Sequence, residues 1–133
     1  MAAGIPRMLV GHVPQAAVSR VLRQLSRQLS ARHLTIFGKI DHSQAAREVH
    51  LELPPTVNVY FGEPDKGTHL MIHRPDLAAR LPLCLSLRQE PDGVRITFLH
   101  PFPDDPTLLH AARHVQDLVL ELMAALGAAI GAR

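Results

Sequence analysis

Apolar residues recur at helical spacing in two long stretches of this chain and alternate with polar residues in four short ones. From Gln15 to Arg32, Val18, Val21, Leu22, Leu25 and Leu29 fall on one helical face, and Arg20, Arg23 and Arg27 fall mostly elsewhere. From Thr107 to about Leu126, Leu108, Ala112, Val115, Leu118, Val119, Leu122 and Met123 form a second stripe. Alternation predicts strands at Leu34–Ile40, Thr56–Phe61, Leu83–Arg88 and Val94–Phe98. The last two, joined by Pro91-Asp92-Gly93, make the clearest hairpin. Short helices are expected after Asp41, which with Gln44 has the form of a capping box, and after Thr68. Asp76 can cap one further turn, Leu77 to Leu81, and Pro64-Asp65-Lys66-Gly67 reads as a turn.

The order helix, strand, helix, strand, helix, strand, strand, helix predicts an α+β fold. It implies a two-layer sandwich, a four-stranded mixed sheet with the helices packed on one face. One domain is expected over residues 1–133, with its core at about 15–126 and flexible ends at 1–13 and 127–133.

Composition narrows the function classes. The formal charge of the 133 residues is +2, aromatic residues make up 4% and there is no Trp. Neither a basic footprint nor stacking platforms for nucleic acid are therefore supplied. The single cysteine, Cys84, excludes an internal disulfide and fits a reducing, cytoplasmic setting. Pro6, Arg7, Gly11, His12 and Pro14 interrupt the apolar character of the beginning, so no signal peptide is expected. The most apolar stretch, Leu118 to Ile130, is too short to span a bilayer.

Several segments in collinear order resemble the domain of unknown function 302 family. They are Phe37-x-x-Ile40-Asp41-His42, Leu53-Pro54-Pro55-Thr56, Phe61-Gly62-x-Pro64-x-x-Gly67-Thr68-x-Leu70-Met71, then Pro75 and Leu81-Pro82-Leu83. The resemblance covers about Leu34 to Phe98 and implies a small α+β domain, often a homodimer, with no settled activity. The chain departs from the family pattern at His69, where proline or a small residue is expected. It departs again after Phe98, where a proline-rich stretch lacks the expected aromatic residues.

Three constellations could carry chemistry. Asp41 beside His42 is a possible acid–base pair, although helix capping also accounts for Asp41. Lys66, Gly67, Thr68 and His69 could form an anion-binding nest at a helix start, or an ordinary turn and cap. His110, His114 and Asp117, at i, i+4 and i+7, have spacing that can hold a metal, as do His69 and His73, but a solvated helix face has the same pattern. There is no H-E-x-x-H, no CxxC around Cys84 and no Walker A loop. The leading expectation is a dimeric binding or interaction module. Its pocket would lie where Asp41-His42 meets Gly67-Thr68 and would take a small polar or anionic ligand. A small enzyme using His42 and Asp41 is the alternative, and a metal protein using His110, His114 and Asp117 is another.

Overall fold

The computed structural model describes residues 4–133. Its elements run β1 (Met8–Pro14), α1 (Val18–Ala31), β2 (Thr35–Asp41), α2 (His42–Glu48), β3 (Thr56–Gly62) and α3 (Pro64–His73). A 3-10 turn at Pro75–Ala79 leads to β4 (Leu83–Glu90) and β5 (Gly93–Leu99). A second 3-10 turn at Pro106–Leu108 opens α4 (Leu109–Ala125), and β6 (Ala129–Ala132) follows.

The α+β expectation holds, but the sheet has six strands in the order β2-β3-β4-β5-β1-β6. Every neighbouring pair is antiparallel, so the expected four-stranded mixed sheet is corrected on both counts. The two extra strands lie in the segments expected to be flexible. β1 pairs along its whole length with β5, from Met8 opposite Leu99 to Pro14 opposite Gly93, and β6 pairs with its other edge. Residues 1–3 of the expected flexible beginning lie outside the described residues.

The reason β1 is hard to read is physical. Leu9 and Val13 face the core, but the inward position between them is Gly11. A Cβ there would lie 3.0 Å from the Ala128 Cβ and 3.3 Å from the Met123 sulfur. The close approach of the α4 end requires the glycine, and the glycine removes the alternation. β6 is four residues long and exposed throughout, so it carries no apolar signature of its own.

One face of the sheet makes the core. Val59 lies opposite Leu85, Leu87 opposite Ile96 and Leu9 opposite Phe98, and all six are buried. Onto this face pack α1, through Val18, Val21, Leu25 and Leu29, and α4, through Val115, Val119, Leu122 and Met123. Each fully buried Leu or Ile contributes about 1.5–3 kcal/mol relative to exposure. The other face carries Tyr60, Cys84, Ser86 and Thr97, none of them buried.

α1 starts at Val18, three residues later than the expected Gln15. Its Val18 N–H donates to Gln89 Oε1 at 2.9 Å, and Gln89 Nε2 donates to the carbonyls of Ala16 and Gly93 at 2.9 and 3.0 Å. This glutamine on β4 caps α1 from 71 residues away. Asp41 caps α2 as the sequence indicates, accepting from Gln44 N at 3.0 Å. Thr107, the expected cap of the last helix, lies inside the 3-10 turn that precedes α4, and Asp105 caps that turn by accepting from Thr107 N at 2.9 Å.

Candidate functional site

Pro64 was expected to open a turn. It occupies the first turn of α3 instead, where its missing N–H costs nothing and its fixed φ suits the helix. Asp65 follows in the same turn, complementing the helix dipole. The consequence reaches the expected anion nest. The Gly67 N–H donates to Glu63 O at 2.9 Å, and Thr68 and His69 lie inside the helix. Their amides belong to the α3 ladder, so the predicted cradle does not form.

The Asp41-His42 half of the expected pocket lies elsewhere. On the β2–β3 ladder, Asp41 pairs with Val57 and Thr35 pairs with Gly62. Gly62 leads into α3, so Asp41-His42 and Gly67-Thr68 stand at opposite ends of the ladder, roughly 17 Å of strand apart. The structure does not bring them into one site. Asp41 accepts from the Ser43 hydroxyl and from Gln44 N, and these bonds, in that order, hold its carboxyl below the usual range. His42 is the exposed first residue of α2.

What the fold does assemble is a cleft of about 810 Å³ between α3 and α4. Its floor is Leu83, Phe102 and Leu108, and one wall is Ala111, Val115 and Leu118 of α4. Leu70 and Met71 of α3 form the other wall, and Phe37 of β2 reaches in beside Gly62. No residue of the ten-residue α3 is buried, and Leu70 and Met71 are half-buried toward the cleft. A helix whose only core contacts are two half-buried side chains is unusual, because helical stability ordinarily comes from packing one face.

Polar groups ring this apolar interior. The Glu63 carboxylate accepts from His114 Nε2 at 2.9 Å and from Lys66 Nζ at 3.0 Å. Burial pushes the Glu63 carboxyl up, but the bonds from His114 and Lys66 outweigh it and hold the group below its usual value. Arg74 is fully engaged by carboxylates, Asp76 at 3.0 Å and Asp105 at 2.7 Å. Bonds to Asp76 and then Asp105 raise the guanidinium above its ordinary value. Bonds from Thr107 and then Arg74 lower the Asp105 carboxyl to about 2. His100, buried behind Phe102, donates from Nε2 to Ala112 O at 2.9 Å and accepts the Phe102 N–H at Nδ1 at 3.1 Å.

Of the sequence candidates, Lys66, Gly67, Thr68, His69, His73, His110 and His114 all line this cleft, while Asp41, His42 and Asp117 do not. The proposed ligand set of His110, His114 and Asp117 does not converge. Among the described residues, the one group of three side chains whose donor atoms approach within 4.8 Å of one another is His12, Glu90 and Asp92. That group lies in a second cavity of about 370 Å³. Its Glu90 is already neutralised by Arg95 at 3.0 Å and Arg88 at 2.8 Å, so a cation there would compete with two guanidiniums. Cys84 is half-buried and its thiol is pushed up by burial, which does not suit a reactive thiolate. Glu63, Arg74, Phe102 and Leu118 were missed as site residues, since only the packing of α3 against α4 gives them a shared role.

A six-stranded antiparallel sheet with two helices on one face and a cleft under a third defines a small α+β domain of the open-face sandwich type. The chain belongs to the family described as Domain of unknown function DUF302, whose model matches residues 12–130. The fold is similar to that of an uncharacterized conserved DUF302 protein from Bacillus stearothermophilus, known from a crystal structure. The TM-score is 0.80 at 14% identity, covering 90% of this chain and 98% of that one. Curated relatives include the fluoride-specific ion channel FluC 1 of Brucella suis biovar 1 (strain 1330), 30% identical over 83 residues, which is 62% of this chain and 33% of that protein. FluC 1 of Brucella abortus biovar 1 (strain 9-941) matches at 30% over 83 residues, 62% of this chain and 31% of that protein. The match thus spans about a third of the length of these relatives. No helix among the described residues of this chain is long and apolar enough to cross a membrane.

Proposed function

We propose that this domain is a binding module that holds an amphipathic organic molecule in the cleft between α3 and α4. The observation that carries the reading is α3 itself. Its Leu70 and Met71, only partly packed against the core, line a cleft of about 810 Å³, a volume typical of small-molecule sites. The apolar walls would take the body of the ligand, His69 and His114 would face it from the α3 and α4 walls, and Lys66 at the rim would meet its polar end. The candidate residues Lys66, Gly67, Thr68 and His69 thereby keep a role in binding, through side chains and packing in place of a backbone nest.

Titration with 1-anilinonaphthalene-8-sulfonate, followed by fluorescence, tests the cleft. The variant Ala111→Trp fills it from the α4 wall. Its binding should fall about tenfold or more while the far-ultraviolet circular dichroism stays that of the parent. Equal binding by parent and Ala111→Trp would refute the reading.

Homodimerisation, the family expectation, has a candidate surface at the far edge of the sheet. β2 is an edge strand, and Ile40, Val49, Leu51 and Leu53 beside it are exposed. A second copy would cover these groups. Sedimentation of the parent as a dimer and of Leu51→Lys as a monomer would support this; a monomeric parent would refute it. The lone half-buried Cys84 supports a cytoplasmic setting. The relatives named as fluoride-specific ion channels favour a second reading, in which the domain serves a membrane channel as an accessory that does not itself cross the bilayer. Co-purification with a co-expressed channel of that type is expected on this reading, and its absence from detergent extracts would count against it.

A further inference from the structure

Four of the nine histidines line the one cleft, His69 and His73 from α3 and His110 and His114 from α4. Two of them are held by acceptors that decide which nitrogen carries the proton. His69 Nδ1 lies 2.6 Å from the carbonyl oxygen of Asp65. A carbonyl only accepts, so Nδ1 is the N–H and Nε2 keeps its lone pair. His114 Nε2 lies 2.9 Å from Glu63, an ionised carboxylate that also only accepts. Its Nε2 is the N–H, and Nδ1 keeps the lone pair. Lys66 Nζ is 3.1 Å from the same ring nitrogen, but it has Glu63 Oε2 at 3.0 Å as its own acceptor. A backbone carbonyl behind one imidazole and a carboxylate behind another are the two arrangements that orient histidines toward iron or zinc and raise their basicity.

The ligand set decides between a bare ion and a metal that brings its own donors. A bare ion needs three or four protein atoms converging on one point, and the cleft offers no such group among the described residues. Haem supplies four nitrogens itself. It asks the protein for one or two imidazoles, a large apolar slot and cations for its carboxylates. The cleft has the imidazoles, the slot and one rim cation, which it shares with Glu63. Leu70, Met71, Leu83, Phe102, Val115 and Leu118 line the slot, and the half-exposed ammonium of Lys66 stands at the rim. We propose that the cleft binds haem, with iron ligated by His69 from the α3 wall and His114 from the α4 wall. The inference rests on the cleft being the binding site, and it adds the chemical class of the ligand.

Titration of the full chain with hemin, followed by absorbance, tests it. One equivalent of hemin should give a Soret band shifted from that of free hemin. His69→Ala and His114→Ala should each weaken binding about tenfold or more and change the spectrum. Glu63→Ala, which leaves His114 in place without its acceptor, should also weaken binding by about tenfold. His42→Ala, outside the cleft, should change nothing. Metal-free protoporphyrin IX separates the two levels of the idea. If it binds as tightly as hemin and the histidine variants alter neither, iron ligation is overturned and the cleft reading stands. If neither porphyrin binds while anilinonaphthalenesulfonate binding remains sensitive to Ala111→Trp, haem is overturned alone. If all three probes fail to bind, the haem inference and the cleft reading fall together.

Discussion

Replacing His100 by Phe removes two hydrogen bonds while keeping the ring between Phe98 and Phe102. The ring centroids lie 5.9 Å from Phe98 and 5.2 Å from Phe102, both edge-on, and Phe can preserve these contacts. The Phe102 N–H would lose its partner in a place only 7% exposed for His100, while the Ala112 carbonyl keeps its bond in the α4 ladder. A buried N–H left unsatisfied costs about 1–3 kcal/mol and the bond lost to Ala112 about 1 kcal/mol, so the variant should lose about 2–4 kcal/mol. Against a total stability of about 5–15 kcal/mol, that is a large shift in the urea midpoint. The same geometry sets a pH dependence. In the neutral ring both nitrogens are used, one donating and one accepting, and protonation would turn Nδ1 into a donor facing the Phe102 N–H. Burial lowers the His100 pKa in the fold, against a bond to Ala112 that raises it. The unfolded chain therefore takes up this proton at higher pH than the folded one. Stability falls as pH drops through the ordinary value near 6.5 toward the lowered one. Urea unfolding at pH 7.5 and 5.5 should show a smaller pH difference in His100→Phe than in the parent. A variant as stable as the parent at pH 7.5, or one with an unchanged pH difference, would refute the reasoning.

At Gly93, φ is +153° and a Cβ would stand 2.2 Å from the Val13 oxygen, so Gly93→Ala should destabilise by at least about 2 kcal/mol in thermal or urea unfolding. Gln89→Ala removes the remote cap of α1 and its ties to Ala16 and Gly93, and a loss of about 1–3 kcal/mol is expected by the same measurement. The Asp105 carboxyl sits at about 2, below its ordinary 3.8, so its contribution is present above the ordinary value and is lost as pH falls from about 4 to about 2. Acid titration of Thr107→Val and Arg74→Met, followed by circular dichroism, should show a shallower loss over that window.

Local chemistry explains which parts of the fold were readable in advance. The hairpin β4–β5 was legible because Leu83, Leu85, Leu87 and Val94, Ile96, Phe98 alternate and Pro91-Asp92-Gly93 demands a turn. Asp41 as the cap of α2 was legible because the cap acts over three residues. β1 was not, since its ladder partners are Gly93–Leu99 and Ala129–Ala132, and an inward glycine interrupts its pattern. The first turn of α3 was read as a loop turn, with the helix starting only after Thr68, because Pro64, Asp65 and Gly67 suit either conformation and nothing within that segment decides between them.

The candidate site divides in the same way. Family membership, the α+β class and the choice of Lys66 to His69 as candidates, which the fold places along the cleft, were contained in the order of residues, because short motifs and periodicities are local properties. Only the tertiary structure decided that Asp41-His42 stands apart from Gly67-Thr68. An antiparallel ladder puts the start of one strand beside the end of the next, and no local spacing reports that distance. Only the tertiary structure, too, brings His69 and His114 to one cleft with Glu63 behind the second. His114 meets Lys66 and Glu63, 48 and 51 positions away, because α3 and α4 stand on either side of the same space.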